Sequence, residues 1–438
     1  MSDALEKRVM RKISWRIIPF IMLLYFIAFL DRVNVGFAAI HMNEDVGLSP
    51  SIFGFGAGLF FIGYFLFEVP SNLALEKFGA RLWIARVMVT WGLISGAMAF
   101  VQGPTSFYIL RFLLGAAEAG FFPGIILYLS YWFPAKSRAQ VTALFMAAAP
   151  ISVALGSLIS GALLEMDGLA GWHGWQWMFV LEAIPALILG VVVLFYMTDR
   201  PEKAKWLDAE EREWLSDTMN AERAAKDKAG ASHSILKGMT DPRVLALSLV
   251  YFGTSAGLYT LGIWAPQMLN ALGLTSFQTG LVNAIPPIFA VMAMYTWSRH
   301  SDRIGERTWH VTLACLAAGL GLFFAGFAVS LVAVVLALVL VNAGVSAAKP
   351  PLWSMPTMFL SGSAAATGIA TINSLGNLGG FVGPYAIGLI KESTGSFEWG
   401  LYFVAALLVL SAIVTLIIAG TARKDVPATP SVSYTHLR

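Results

Sequence analysis

The chain has 438 residues, of which 57% are hydrophobic and only 13% are charged, and its mean hydropathy is +0.71. Because a soluble domain carries about 25% charged residues, this composition excludes an ordinary soluble protein. The formal net charge of +3 does not indicate a nucleic-acid partner, and the single cysteine, Cys315, excludes an internal disulfide framework. Apolar runs of about 20 residues recur along the chain and predict an all-α membrane protein with many spans.

The first apolar run is too long for the h-region of a signal peptide and lacks a small-residue cleavage site, so it predicts a membrane helix. Further runs of similar length follow it, and a lipid bilayer accommodates each of them as one span. Twelve transmembrane helices are predicted, at 16–40, 51–75, 80–101, 104–132, 138–164, 175–198, 243–270, 277–298, 308–329, 331–358, 364–390 and 397–420.

The positions of the 29 Lys and Arg residues predict the orientation. Nearly all of them fall in alternate connections that begin with the N-terminal segment, whereas the opposite loops contain Lys391 alone. Cations accumulate in cytoplasmic loops, so we expect both termini in the cytoplasm and the protein in a cell inner (plasma) membrane. The three remaining cations, Arg32, Arg111 and Lys349, fall inside predicted helices.

One long polar stretch separates the sixth predicted helix from the seventh. Within it, Asp208 and Glu211 have the spacing of a capping box and precede Trp214 and Leu215. This pattern predicts an amphipathic helix at the membrane interface, followed by a flexible segment, with a small regulatory domain as the alternative. The resulting division is a six-helix bundle over 1–198, a cytoplasmic linker over 199–241, a second six-helix bundle over 242–422 and a polar tail over 423–438.

A short motif occurs once in each half. The stretches "EKFGARLW" (76–83) and "DRIGERTW" (302–309) share the order acid, base, x, Gly, x, Arg, x, Trp, and each follows the second span of its half. Two bundles related by a parallel repeat account for this arrangement, and two unrelated basic loops are the alternative. Glycine permits a tight turn, and the acid and arginine can clasp neighbouring helix ends. The residues that we expect to act in gating are Glu76, Arg81, Asp302, Arg303 and Arg307.

Charges inside the predicted helices mark a candidate site. An Asp or an Arg at a helix centre costs about 2.5–3.5 kcal/mol on insertion scales, yet Asp31 and Arg32 stand side by side in the first helix. Arg111 and Glu118 on the fourth helix are seven residues apart and therefore share a face. Opposite charges on adjacent helices can neutralise each other across a cavity. The alternative is a static ion-pair network that only ties helices together.

Three further charged residues lie within predicted spans. Glu68 precedes Pro70 near the cytoplasmic end of the second helix, which favours a place in the inner gate. Glu182 is a less specific signal, and the simpler interpretation is that it forms a structural pair with another side chain or lies at a water-accessible position. Lys349 precedes two prolines, and its long side chain is either a substrate contact or a snorkelling cation.

Amides and a hydroxyl complete the set of candidate contacts. Asn373 and Asn377 stand at i, i+4 in the eleventh helix among glycines that let helices approach closely. They either orient a hydroxylated or carboxylated solute or bond to a facing helix. Tyr64 lies four residues before Glu68 and offers a hydroxyl to the same cavity.

Other stretches of the chain are distinctive as a set: "LDRVNVGFA" (30–38), "YFLFEVPSNL" (64–73), "RFLLGAAEAGFFPG" (111–124), "YWFP" (131–134), "RHSDRIGER" (299–307) and "INSLGNLGGFVGPY" (372–385). With the repeated loop, they resemble the major facilitator superfamily and, more narrowly, its anion:cation symporter family of tartrate, phthalate, hydroxyphenylacetate and sugar-acid permeases. The resemblance runs from about residue 10 to 420. It departs from the family pattern in the first loop, where Ser71 and Leu75 replace the usual Gly and Asp, so we expect Glu76 to take the acidic role.

The resemblance implies a major facilitator fold and assigns roles to the buried charges. Arg32 is implied as the ligand of the substrate carboxylate, Asp31 and Glu118 as proton carriers, and Arg111 as the partner that tunes Glu118. We expect Tyr64, Asn373 and Asn377 to complete the substrate site. The implied partners are a small organic acid, protons and the lipid bilayer, and we expect the protein to work as a monomer.

Four functions remain to be weighed. The leading one is a secondary transporter that imports a small organic anion with protons by alternating access. A major facilitator carrier for neutral sugars or for drug efflux is the second, although Arg32 and Arg111 argue against cationic substrates. A membrane-embedded enzyme needs a nucleophile–base set or a metal cluster, whereas the six His residues are scattered. A receptor has no need for intramembrane carboxylates. The chain contains no Walker motif, and we expect no cofactor and no metal.

Overall fold

The computed structural model describes residues 2–228, 235–360 and 362–424. Within these ranges the regular structure is entirely helical. The helices before the linker are α1 (Ser2–Asp45), α2 (Pro50–Phe78), α3 (Ala80–Ala97), α4 (Pro104–Glu118), α5 (Phe121–Trp132), α6 (Ala135–Met146), α7 (Ala148–Leu164) and α8 (Gly174–Tyr196). The predicted tail from residue 425 onward lies outside the described residues.

The linker contributes two helices, and the second half contributes eight more in the described part of the chain. The segment 229–234, which the sequence predicts to be flexible, lies outside the described residues. The linker helices are α9 (Ala209–Lys228) and α10 (Ile235–Thr240). The helices that follow are α11 (Pro242–Asn270), α12 (Ser276–Asn283), α13 (Ile285–Ile304), α14 (Thr308–Phe327), α15 (Leu331–Ser354), α16 (Gly362–Asn377), α17 (Gly379–Thr394) and α18 (Glu398–Lys424).

Eleven helical segments of the described chain are long and apolar enough to cross a membrane. They coincide with eleven of the twelve predicted spans. The exception is the predicted span 364–390, which α16 and α17 occupy. Its glycines, Asn373 and Asn377 lower the hydropathy of this segment, so that it is helical at the predicted position without being strongly apolar.

The linker helix α9 packs against the start of α1. Asp208 and Glu211 form the predicted capping box, since the Glu211 backbone N–H donates to Asp208 Oδ1 at 2.8 Å and the Asp208 N–H donates to Glu211 Oε2 at 3.1 Å. Lys12 Nζ donates to Glu211 at 2.6 Å, and Arg8 donates to Glu210 at 3.0 Å. We call the side of the molecule that carries the N-terminus and this linker the terminal face, and the other side the distal face.

The two halves meet closely at the distal face. Glu392 at the end of α17 accepts hydrogen bonds from Ser49 Oγ at 2.7 Å and from the Ser51 N–H at 2.9 Å, at the start of α2. Glu165, which follows α7, accepts one from the Phe277 N–H at 3.0 Å, at the start of α12. Each half thus places a carboxylate at the positive N-terminus of a helix of the other half. We call these two contacts the distal clasp.

Glycines allow this close approach of backbones. A Cβ atom on Gly161 of α7 would lie 2.8 Å from the Ser276 carbonyl oxygen, and one on Gly54 of α2 would lie 2.7 Å from the Pro384 carbonyl oxygen. Both distances are too short for a carbon atom, so the helices pack at these points only because a side chain is missing. The distal face is therefore sealed by backbone-to-backbone packing as well as by the clasp.

The repeated loops differ in how their charges pair. In the second loop, Asp302 and Arg307 form the expected acid–arginine clasp at 2.6 Å, and Gly305 takes the left-handed conformation. In the first loop, the Arg81 backbone N–H donates to Asp199 Oδ1 at 2.9 Å, whereas Glu76 is exposed. The expectation that Glu76 takes the acidic role is corrected here, because the end of α8 brings Asp199 to the turn instead. Arg303 is also exposed.

Candidate functional site

The fourth predicted span, 104–132, is not one continuous helix. Helix α4 ends at Glu118, Ala119 is extended with ψ of 135°, and Gly120 has φ of +83° before α5 begins at Phe121. The left-handed conformation of Gly120 favours glycine, and Gly120 together with Pro123 in the first turn of α5 were the signals for this break in the sequence. Interrupted helices at membrane depth occur where the backbone is buried in protein or lines a cavity, and substrate sites of transporters are built there. The break places Glu118 at a helix end.

We expect Gly120→Ala to lower the melting temperature of the protein. The left-handed conformation costs a residue with a Cβ atom about 1–2 kcal/mol, and this Cβ would also collide with the side chain of Ser71. Gly171→Ala is the matched control, because Gly171 has φ of +78° but no atom within 4 Å of an added Cβ. If both variants lose the same stability in a thermal unfolding measurement, close packing around the break is contradicted.

Arg32 and Glu118 form an ion pair in the interior. Arg32 Nε donates to Glu118 Oε1 at 2.6 Å, and Nη2 lies 2.5 Å from the same oxygen. The exposed fractions of the two side chains are 9% and 1%. Glu118 Oε2 is buried and has no hydrogen-bond partner among the described residues. The pairing therefore uses one carboxylate oxygen and leaves the other unsatisfied.

The guanidinium of Arg32 also reaches the second half. Its Nη1 donates to the hydroxyl of Tyr259 on α11 at 3.2 Å. Its central carbon lies 5.2, 5.5 and 5.3 Å from the ring centres of Phe29, Phe60 and Tyr64. These distances are within the range of cation–π attraction. Arg32 is thus held by an acid and aromatic rings of the first half and by a hydroxyl of the second half, and the Tyr64 ring lies beside it.

Arg111 does not pair directly with Glu118. Its Nη2 donates to the carbonyl oxygen of Ala57 on α2 at 3.1 Å, and its guanidinium lies 5.1 Å from the Phe60 ring centre. Arg32, and not Arg111, contacts the carboxylate, so the expected tuning of Glu118 by Arg111 has no direct contact behind it. The charge of Arg111 still interacts with that of Glu118 at longer range. Arg111 therefore remains a neighbour of the pair without being a member of it.

Asp31 points away from Arg32. Its carboxylate accepts hydrogen bonds from Trp91 Nε1 at 2.6 Å, from Ser95 Oγ at 2.7 Å and from Asn34 Nδ2 at 3.3 Å. Trp91 and Ser95 belong to α3, so Asp31 faces the interior of the first half. Successive helix residues project about 100° apart, which explains how neighbours in sequence take separate surroundings. The network that surrounds Asp31 was not predicted from the sequence.

Glu68 joins the two halves on the terminal side of the Arg32 site. Its Oε1 accepts a hydrogen bond from Asn373 Nδ2 at 2.8 Å, and its Oε2 accepts one from Ser374 Oγ at 3.0 Å. We call this contact between α2 and α16 the inner latch. Asn373, which we expected to contact substrate, is occupied by Glu68 in this structure. Asn377 is partly exposed.

A cavity lies between the halves beside Arg32. Tyr259, Asn283 and Asn342 contribute polar groups to its lining, and apolar side chains and the Gly262 backbone complete it. These three residues of the second half were missed in the sequence, because no single-residue signal distinguishes a tyrosine or an asparagine that faces the cavity from one that faces a helix. The cavity thus combines one arginine with neutral hydrogen-bonding groups, a surface suited to a small polar anion.

Comparisons with known proteins agree with this architecture. The chain is 71% identical over 425 residues to an Agrobacterium vitis protein named "Putative tartrate transporter", with coverage of 97% of this chain and 98% of the relative. It is 42% identical over 414 residues to an Acinetobacter baumannii protein named "Quinolone resistance transporter", covering 94% and 95%. An inward-facing, unoccupied crystal structure of a bacterial homolog of the human lysosomal transporter Spinster superposes with a TM-score of 0.78 at 16% identity, covering 98% of this chain and 100% of that chain.

The family assignment rests on most of the chain. A family model described as Major Facilitator Superfamily matches residues 21–384, which include all the buried charges described above. The fold, the family model and the high-identity relatives agree on a multi-pass membrane transporter. This chain belongs to the Major Facilitator Superfamily.

Proposed function

We propose that this protein imports a small organic anion together with protons. The observation that carries the proposal is the buried Arg32–Glu118 ion pair beside the cavity between the halves. Arginine grips carboxylates with two parallel hydrogen bonds, and a buried acid beside it supplies a group that can carry a proton. The relatives named "Putative tartrate transporter" support an organic acid as the substrate.

Coupling follows from competition for Arg32. While Glu118 is ionised, its Oε1 accepts hydrogen bonds from the guanidinium of Arg32, which is then not available to substrate. When Glu118 is protonated, the attraction between the two weakens, and a substrate carboxylate can take its place. Proton binding and anion binding therefore favour each other, and thermodynamic linkage makes the effect reciprocal. Asp31 is the second proposed proton carrier, and Arg111 acts on both acids through its charge.

We further propose that the two bundles, 1–198 and 242–422, move as bodies joined by the linker 199–241. The distal clasp and the glycine contacts close one entrance to the cavity. On the terminal side, the inner latch of Glu68, Asn373 and Ser374 is a gate that must open for release. The loop charges at Arg81 and Arg307 stabilise each bundle at that face. The clustering of Lys and Arg there supports a cytoplasmic terminal face, so the inner latch is the proposed barrier on the cytoplasmic side of the cavity.

The remaining proposed contacts orient the rest of the substrate. Tyr64 lies against Arg32 and offers its hydroxyl to a bound anion. Asn377 is partly exposed and lies one helical turn beyond Asn373 on α16. Asn373 becomes free for substrate only when Glu68 releases it. The proposed site therefore gains a ligand when the inner latch opens.

Drug export is the second candidate, favoured by the relative named "Quinolone resistance transporter". The two functions make opposite predictions in proteoliposomes. An importer coupled to protons should accumulate labelled tartrate when the outside is acidic, and a protonophore should abolish the accumulation. Expulsion of a fluoroquinolone under a pH gradient, without any tartrate accumulation, contradicts the proposal and favours the exporter.

We expect Glu392→Gln to shift the protein toward the state that is open at the distal face. Hydrogen bonds from Ser51 and Ser49 lower the pKa of Glu392 below its ordinary value, so the ionised form favours the clasp. This contribution is present above the ordinary pKa of a glutamate and is lost as the pH falls through the lowered value. Acidification from pH 7.5 to 6 should therefore leave the clasp intact, whereas the Gln variant weakens it at every pH.

Distances between spin labels on the distal ends of α2 and α17 measure this opening. Glu398→Gln is the control, because Glu398 is an exposed acid at the start of α18 on the same face. Equal distance distributions for Glu392→Gln and wild type show that the distal clasp does not hold this state. If Glu398→Gln shifts the distance distribution as well, the effect comes from surface charge and not from the distal clasp.

A further inference from the structure

Lys349 is an intramembrane cation that the proposed coupling does not use. It lies on α15 seven residues after Asn342, and Asn342 lines the cavity beside Arg32. Seven residues make two helical turns, so both side chains lie on one face of α15, about 10.5 Å apart along the helix. Lys349 is partly exposed, and its charge interacts with that of Arg32. Lys349 therefore lies about two helical turns from the cavity lining, on the face of α15 that carries Asn342, and within electrostatic range of Arg32.

Aromatic contacts between α15 and α11 support an orientation of the Lys349 side chain toward the Arg32 site. Trp353, four residues after Lys349 and hence on the same side of α15, packs edge-on against Tyr251 of α11 with ring centres 4.8 Å apart. Tyr251 and Tyr259 are eight residues apart on α11 and share a face, and Tyr259 holds Arg32. The side of α15 that carries Lys349 therefore packs against α11, the helix whose Tyr259 contacts Arg32.

Lys349 has no hydrogen-bond or ion-pair partner among the described residues, in contrast to Arg32 and Arg111, the other two cations inside predicted helices. Arg32 has Glu118, and Arg111 has the Ala57 carbonyl. Glu68 already accepts a hydrogen bond on each of its two oxygens from the inner latch. An unpaired ammonium group inside a membrane protein is costly and marks a functional position. An anion that enters from outside the chain can supply the counter-charge that the described residues do not.

The charges predict how many carboxylates that anion has. When Glu118 is protonated, neither Arg32 nor Lys349 has an anionic partner in the described part of the chain. One carboxylate neutralises one of them, whereas a short dicarboxylate neutralises both. We propose that Lys349 binds the second carboxylate of a short dicarboxylate whose first carboxylate is bound by Arg32. This inference rests on the proposed carboxylate site at Arg32.

The geometry gives the second carboxylate a mechanical role. Arg32 belongs to the first half and Lys349 to the second, so a dicarboxylate bonded to both joins the halves across the cavity. A monocarboxylate bonded to Arg32 alone does not make this link. Recognition at Lys349 therefore selects dicarboxylates for binding.

The test compares tartrate with glycerate, which has the same hydroxy acid end but one carboxylate, by calorimetric titration of the full-length protein in nanodiscs. Lys349→Met removes the charge and keeps the length of the side chain. We expect it to weaken tartrate binding about 10- to 100-fold, as for a lost charged hydrogen bond, and to change glycerate binding by less than about 2-fold. Lys349→Arg should retain most of the tartrate affinity. Lys391→Met, the same change at the distal face, should affect neither ligand.

The outcomes separate the two proposals. Equal weakening for tartrate and glycerate, or unchanged tartrate affinity in Lys349→Met, overturns the second subsite while the carboxylate site at Arg32 stands. Wild-type protein that binds neither acid overturns the carboxylate proposal and the subsite with it. Because Lys349→Arg keeps the charge, loss of tartrate binding in that variant, at unchanged melting temperature, also counts against a simple charge contact.

Discussion

Glu118→Gln is expected to bind and exchange substrate but not to accumulate it against a gradient. Glutamine cannot form an ion pair with Arg32, so the guanidinium is permanently available to a substrate carboxylate. At the same time the variant has no proton to bind or release at this position, and the link between anion and proton movement is lost. Exchange of labelled for unlabelled tartrate and accumulation driven by a pH gradient should be measured in the same vesicles.

Glu182→Gln is the matched control for this variant. Glu182 is also a buried carboxyl of the first half, but it accepts a hydrogen bond from Ser160 at 2.7 Å and forms no ion pair in the described part of the chain, whereas Glu118 pairs with Arg32. The control should keep accumulation. Retained accumulation in Glu118→Gln would show that Glu118 does not couple the proton, and would leave Asp31 as the carrier.

Arg32→Lys is expected to lose most substrate binding although the positive charge remains. The guanidinium holds Glu118 through Nε and Nη2 while Nη1 reaches Tyr259, and a lysine ammonium cannot reproduce this fork. Loss of one bidentate, charge-assisted contact should weaken tartrate about 10- to 100-fold. Calorimetric titration of the purified variant measures the change.

Arg86→Lys serves as the control for Arg32→Lys. Arg86 is a partly buried arginine of α3 that stacks 3.9 Å from the ring centre of Trp83, outside the cavity. Its replacement should leave tartrate affinity unchanged, whereas wild-type affinity in Arg32→Lys removes Arg32 from the substrate site. Comparable melting temperatures of the two variants exclude a folding defect as the cause.

The fold could be predicted because its determinants are local. Hydropathy located helices at all twelve predicted spans, and the spacing of Asp208 and Glu211 located the start of the linker helix. The break after Glu118 was missed because a glycine and a proline in an apolar run, Gly120 and Pro123, do not distinguish an interruption from close helix packing or a kink. The acid of the first loop was misassigned because Asp199 is far from Arg81 in sequence.

The candidate site was only partly predictable, because contacts depend on helix rotation and on the partner half. Arg32 and Glu118 were expected in the site, and the structure places them in contact. Sequence spacing favoured Arg111 as the partner of Glu118, since both lie on α4, but the direction of the guanidinium is set by Ala57 on α2. Tyr259 comes from the second half, and no pattern within the first half could have indicated it.

The central claim is that Glu118 and the substrate carboxylate compete for Arg32, and the pH dependence of tartrate affinity tests it most directly. Calorimetric titrations of wild type and Glu118→Gln should be run across a pH range in which tartrate itself stays a dianion. We predict that wild-type affinity rises as the pH falls, because protonation of Glu118 releases Arg32, and that the affinity of Glu118→Gln is high and nearly independent of pH. The same pH dependence in both proteins would contradict the claim.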